Sequence, residues 1–370
     1  MSLLDAQRLR PDIADFAKRA QKIQNRQGLR YLLLHPTLKV SFLKVKRRLE
    51  RDNDRLISGG SIDLKNAKMY FPDQETRNYH ARVCRAVLER VMRKSLEGFV
   101  AGQHVQIEEI LAGEVAGEWI VPRNEKSRGV ILHIHGGGFN LFSAATYRGL
   151  NTRLSFDSGT RIFSVNYRLA PEHKHPAAIE DCLRAFQWLI DQGHPPQTII
   201  LMGDSAGGNL VLALLHRLKR LGEALPVAAI CISPFVDWTF RGKSWFANAP
   251  TDPIICDLPV AYLGRCYLDF SQVELTDPEV SPLYGNFRGF PPLLLLVSAA
   301  EMCLDDSLRI AEKAGAAGVE VQLEEWDDMI HVFPLFGLGE AWPEVDEAFA
   351  KMSAFIAEKL GSRVPPSETM

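Results

Sequence analysis

The chain has 370 residues, 46% of them hydrophobic and 24% charged, with a formal net charge of -2. That length accommodates one large α/β domain with an added element, or two average domains, because single cores stop growing near roughly 250 to 300 residues. The near-neutral charge gives no general pull toward nucleic acid, and no apolar run reaches the roughly 18 residues needed to span a bilayer.

The six cysteines (Cys84, Cys182, Cys231, Cys256, Cys266 and Cys303) show neither CxxC pairs nor the histidine spacing of a zinc site. The start, Met-Ser-Leu-Leu-Asp, lacks a charged-then-apolar signal pattern. Reduced thiols in a cytoplasmic protein are the expectation, with Cys256–Cys266 as the pairing to examine if the protein were secreted. Residues 1–60 hold 14 Lys or Arg against 6 Asp or Glu. This excess reads as the solvated face of a lid, with peripheral docking on an anionic membrane as the alternative.

In chain order, residues 1–103 carry a helical pattern and are expected to form a cap. The period then changes. Val105–Ala112 and Glu118–Pro122 read as a strand hairpin, and Gly129–Ile134 as a buried strand ending in glycines. Ile162–Tyr167 reads as a strand, Ala177–Gln192 as a helix closed by Gly193, and Thr198–Met202 as a strand running into Gly203-Asp204-Ser205. The next helix, Ala206–Leu221, is apolar on most sides and places Arg217, Lys219 and Arg220 at its negative end before Gly222. Strands follow at Ala228–Ile232 and Pro292–Val297, separated by a Pro- and aromatic-rich insertion over about 235–290. A helix Leu304–Ala317, a strand Val319–Trp326 and a helix Trp342–Leu360 complete the series, and 361–370 reads as a disordered tail. This alternation predicts an α/β fold: a mostly parallel sheet, helices on both faces, and reactive loops at the carboxyl ends of the strands. Val319–Trp326 is a candidate sheet edge for pairing in an oligomer.

Two motifs carry chemistry. Gly203-Asp204-Ser205-Ala206-Gly207 is a GxSxG sequence between an apolar strand and a helix, the context that exposes a serine hydroxyl at a strained turn. His135-Gly136-Gly137-Gly138-Phe139 follows the strand ending at Ile134; its bare glycine amides suit an oxyanion. A phosphate loop would need GxxxxGK[ST] or GxGxxG, and neither is present.

With these motifs, Asn166-Tyr167-Arg168-Leu169-Ala170-Pro171-Glu172-His173, Ser233-Pro234-Phe235-Val236-Asp237 and Met329-Ile330-His331 stand in the same order as in the hormone-sensitive-lipase family of esterases, bacterial group IV of the α/β-hydrolase superfamily. The chain resembles that family over roughly 105–360. The resemblance implies oxyanion donation by the backbone N–H groups of Gly137, Gly138 and Ala206, with Arg168, Glu172 and Asp237 holding loops. It also implies the order nucleophile, acid, histidine. Ser205 is then the nucleophile, and His331, in the loop after the last strand, the base. His173, His175, His194 and His216 suit surface or structural roles.

Relatives commonly carry Asp-Pro-Leu after the penultimate strand, whereas this chain has Ser298-Ala299-Ala300-Glu301-Met302-Cys303-Leu304-Asp305-Asp306. Ungapped alignment back from His331 sets Glu301 at the acid position. Asp305 and Asp306 remain alternatives, with capping of the following helix as their other role. Such a triad requires no metal or organic cofactor. The partner implied is a small-molecule ester of short to medium acyl chain, with Phe139, Phe142, Trp238, Phe240, Trp245 and Phe246 as candidate pocket walls. Amide or carbamate hydrolysis by the same triad, or non-catalytic binding of a small molecule, are the competing readings.

Overall fold

A computed structural model describes residues 4–5, 7–34, 59–60, 62, 64, 74–75, 77–79, 81–82, 84–86, 89, 104–256, 258 and 260–361, with the side chains of 23–34 outside the description. Most of the expected cap, the basic stretch beyond residue 34 and the tail after Gly361 therefore lie outside the described residues.

Helix α1 (Pro11–Leu34) precedes an eight-stranded sheet made of β1 (Val105–Ala112), β2 (Val115–Pro122), β3 (Val130–Ile134), β4 (Arg161–Val165), β5 (Ile199–Asp204), β6 (Ala228–Ile232), β7 (Leu293–Ser298) and β8 (Val321–Trp326). Interleaved with them run α2 (Arg148–Ser158), α3 (Ala177–Asp191), α4 (Ala206–Leu221), α5 (Ser244–Ala247), α6 (Val260–Tyr267), α7 (Leu304–Ala316), α8 (Phe333–Phe336) and α9 (Pro343–Leu360). The strand order is β1-β2-β4-β3-β5-β6-β7-β8. The first two strands are antiparallel additions, and every pair from β4 to β8 is parallel. The predicted α/β class and hairpin are thus present, and β8 does form one edge.

Alternation along each strand divides the core in two, because successive side chains leave the sheet on opposite faces. Leu132, Leu201 and Leu295 pack with Ile179 of α3, Leu210 of α4 and Ile310 of α7. Their neighbours Ile131, Ile200 and Leu294 pack with Leu154 of α2 and Phe349 of α9. Burial on both faces explains why β3, β5, β6 and β7 read as continuous apolar runs rather than alternating ones. Ile13 of α1, 1% exposed, joins the α9 side. Helix α2 was not expected from the pattern. Its Gly149, Asn151, Thr152 and Ser155 are weak helix formers, yet all are buried and the helix packs on α9 and β2.

None of the six cysteines is in a disulfide, so Cys256 and Cys266 are not joined. Among the described residues no helix is long and apolar enough to cross a membrane.

Candidate active site

The β5–α4 junction sets Ser205 at φ 51°, ψ -118°. A side-chain-bearing residue pays strain there, and the surroundings over-determine it. The Ser205 N–H donates to Ile232 O at 2.9 Å, and its carbonyl accepts from Asn209 and Phe235 N–H at 3.1 Å each. The turn is so tight that a methyl at Gly207 would lie 2.0 Å from Ile134 O. Only glycine permits that approach.

The glycine loop after β3 lies against the same turn. The Gly136 N–H donates to Asp204 Oδ1 at 2.9 Å, and the Tyr147 hydroxyl donates to Asp204 Oδ2 at 2.7 Å. Burial raises the Asp204 carboxyl to about 6, against the hydrogen bonds from Tyr147 and Gly136. Gly137 (φ 106°) and Gly138 (φ 62°) turn the chain so that, among the described residues, neither their N–H groups nor that of Ala206 has a protein acceptor. All three residues and Ser205 line one cavity.

His331 follows β8 and lines that cavity too. Its Nδ1 lies 2.9 Å from Glu301 Oε2, and the two side chains are 4% and 0% exposed. A carboxylate only accepts, so Nδ1 carries the proton. Burial alone would push the imidazole down. The hydrogen bond and charge of Glu301, with Asp252 and Asp204 beyond, outweigh it and raise His331 above the ordinary imidazole value of 6.5.

The two alternative acids are elsewhere. Asp306 is fully buried but accepts from Val236 N–H at 2.8 Å and Trp245 Nε1 at 3.3 Å, and burial pushes it up to about 7. Asp305 accepts from the N–H groups of Lys243 and Ser244. Both therefore clamp the 236–245 segment and neither caps its own helix, correcting that expectation. Glu301, in the turn directly after β7, is the acidic side chain that hydrogen-bonds His331.

Comparison with known proteins places this geometry. The model of the α/β-hydrolase fold matches residues 131–335. An esterase of Acinetobacter venetianus is 36% identical over 293 residues, covering 79% of this chain and 93% of the relative. An acetyl-hydrolase of Streptomyces hygroscopicus is 34% identical over 246 residues, covering 65% and 81%. The solved structure of an esterase from the bacterial hormone-sensitive-lipase family superposes with a TM-score of 0.71 at 33% identity, over 84% of this chain and 99% of that one. The chain belongs to the hormone-sensitive-lipase family of α/β hydrolases.

In this hydrolase the cavity measures about 440 Å³. Phe139, Phe142, Trp238, Phe240 and Trp245 line it, and Phe139 stacks on Tyr267 at 4.0 Å between ring centres. Phe246 does not line it; it packs half-buried on the core instead. Phe16, Ala17 and Ala20 of α1 and Leu335, Phe336 and Leu338 after His331 form a further wall that the pattern did not reveal. Arg19–Glu340 at 2.7 Å ties α1 to the chain segment following His331, and the Arg10–Glu344 pair ties the residue before α1 to the first turn of α9. The three loop-holding residues pair away from the cavity: Arg168 with Asp181, Glu172 with Arg85, and Asp237 with Arg309. His216 is also structural in its setting, bonded to Pro282 O at 3.0 Å.

Proposed function

We propose that this enzyme is a carboxylesterase that uses Ser205, His331 and Glu301 as a catalytic triad. The observation that carries the reading is the meeting, in one cavity, of a strained serine, a buried imidazole whose Nδ1 is held by a carboxylate, and three amides without acceptors. With Nδ1–H committed to Glu301, Nε2 is the nitrogen left to take the Ser205 proton as Oγ attacks an ester carbonyl. The charge that develops on the carbonyl oxygen is met by the N–H groups of Gly137, Gly138 and Ala206. Collapse expels the alcohol, which takes the proton from His331, and leaves an acyl-serine. His331 then deprotonates water, which attacks the acyl carbon; the carboxylic acid leaves and Ser205 regains its proton.

The preferred acids are short to medium in chain length. Aromatic rings and the apolar face of α1 bound a cavity of about 440 Å³, which supports an acyl chain of limited reach over a long triglyceride. The relatives named above, an esterase and an acetyl-hydrolase, are consistent with that class.

The test is a p-nitrophenyl ester series from acetate to palmitate, run beside Ser205→Ala. Rates should peak at short to medium chains and fall by at least about a thousandfold in the variant, since triad serines contribute far more than that. Ester hydrolysis within tenfold of the parent in Ser205→Ala would reject the assignment.

A further inference from the structure

Six non-glycine residues with positive φ occur among the described residues, and five of them line the cavity: Phe139, Phe142, Ser205, Phe240 and Val332. The sixth, Ser233 at φ 49°, does not touch it. Glycine would adopt this backbone freely, so what serine adds at a strained position is its hydroxyl.

That hydroxyl is 1% exposed with its residue and sits where three loops meet. Ser233 follows β6, and its own N–H donates to Leu296 O of β7 at 2.7 Å. Its Oγ accepts from the N–H of Val332, the residue after His331, at 3.0 Å. The carboxylate of Glu301, the residue that holds the His331 ring, lies close enough to feel that hydroxyl, whose influence favours its charged form. One side chain thus pins the backbone behind the base at the end of β6, beside the acid that orients it.

We infer that Ser233 is a positioning residue of the acid–base pair: its buried hydroxyl pins the backbone behind His331 beside Glu301 and so fixes the line along which the imidazole meets Ser205. The inference rests on the triad reading given above. It extends that reading from the residues that react to one that sets their geometry without touching substrate. The other ionisable groups that face the pair are Asp252 and Asp204. Asp252 is fully buried and accepts from the N–H groups of Ile254, Ile255 and Met302, so its position does not depend on Ser233.

The experiment compares Ser233→Gly and Ser233→Ala with the parent in the full chain, measuring kcat and KM on p-nitrophenyl butyrate across pH together with thermal unfolding. Glycine relieves the backbone strain while deleting the hydroxyl, so Ser233→Gly keeps the fold. A misplacement of about 1 Å costs up to about a hundredfold in rate, so kcat should fall roughly ten- to a hundredfold with KM held within about threefold. Removing a donor that favours the ionised carboxylate strengthens the pair's grip on its proton, so the acidic limb of kcat/KM should move to higher pH in both variants. A Ser233→Gly protein that keeps its rate, or that loses rate with the limb unmoved or moved down, overturns the inference. Failure of the triad itself would be seen separately, as activity surviving in Ser205→Ala or His331→Ala run in parallel.

Discussion

Replacing Glu301 with Gln keeps the side chain's shape and removes the charge beside His331, so it isolates what the carboxylate contributes. The Nδ1···Oε2 separation is 2.9 Å and both groups are buried. At an effective dielectric of about 20, unit charges at that distance attract by about 6 kcal/mol, an upper bound because both charges are spread over several atoms. At about 1.4 kcal/mol per decade this is about four decades in rate, in line with the roughly 10⁴-fold loss when a triad acid becomes an amide. Asp252 stays nearby and keeps some negative potential on the ring without bonding to it, so the expected fall in kcat is about 10³- to 10⁴-fold. The assay is initial-rate hydrolysis of p-nitrophenyl butyrate by Glu301→Gln beside Asp305→Asn and Asp306→Asn. The acidic limb should also shift to lower pH in Glu301→Gln, because the largest influence raising His331 has gone. A Glu301→Gln enzyme within tenfold of the parent, or a folded Asp306→Asn that loses more than it does, would refute the reasoning.

Asp204→Asn should lower kcat/KM by about a hundredfold, somewhat less than or equal to the loss of one oxyanion donor, because Gly136 and Tyr147 then compete for a single acceptor. Since Asp204 takes up a proton as pH falls through about 6, the parent's acidic limb should carry a protonation there that the pH–rate profile of Asp204→Asn lacks. Ala20→Trp fills the α1 side of the cavity; decanoate ester hydrolysis should drop by about tenfold or more while acetate ester hydrolysis stays within about threefold, and equal loss on both would show that α1 does not bound the acyl chain.

Where local chemistry marks both ends of an element, the sequence was sufficient. Helix α4 was delimited to the residue, Ala206–Leu221, because Ser205 stands before it and Gly222, at φ 73°, ends it in a left-handed cap. Strands buried on both faces were legible as apolar runs, with ends displaced by a residue or two where hydrogen bonding outlasts the hydrophobic pattern, as at Gly203 and Asp204 of β5. Helix α2 was not legible, since Asn151, Thr152 and Ser155 turn polar side chains into buried sites and leave no apolar stripe. In the site, the GxSxG context and the family's order pointed to Ser205 and His331, and ungapped alignment put Glu301 first among the acids, which agrees with its hydrogen bond to His331. It could not exclude Asp305 and Asp306, because four or five residues on a turn and helix decide direction only through packing. The roles of Ser233 and Asp252, and which α1 residues of the expected cap face the cavity, were beyond reach for a related reason. Each meets the site through contacts tens to hundreds of residues apart in sequence, as in Ser233–Val332.

The most direct test of the account is where a fluorophosphonate, which reacts with an activated serine hydroxyl, attaches to the intact chain. Peptide mass spectrometry should find one adduct, on Ser205, formed rapidly in the parent, slowly in His331→Ala and not at all in Ser205→Ala. An adduct on another serine, or labelling of Ser205 at the same rate without His331, would contradict the claim that these two side chains act as one unit.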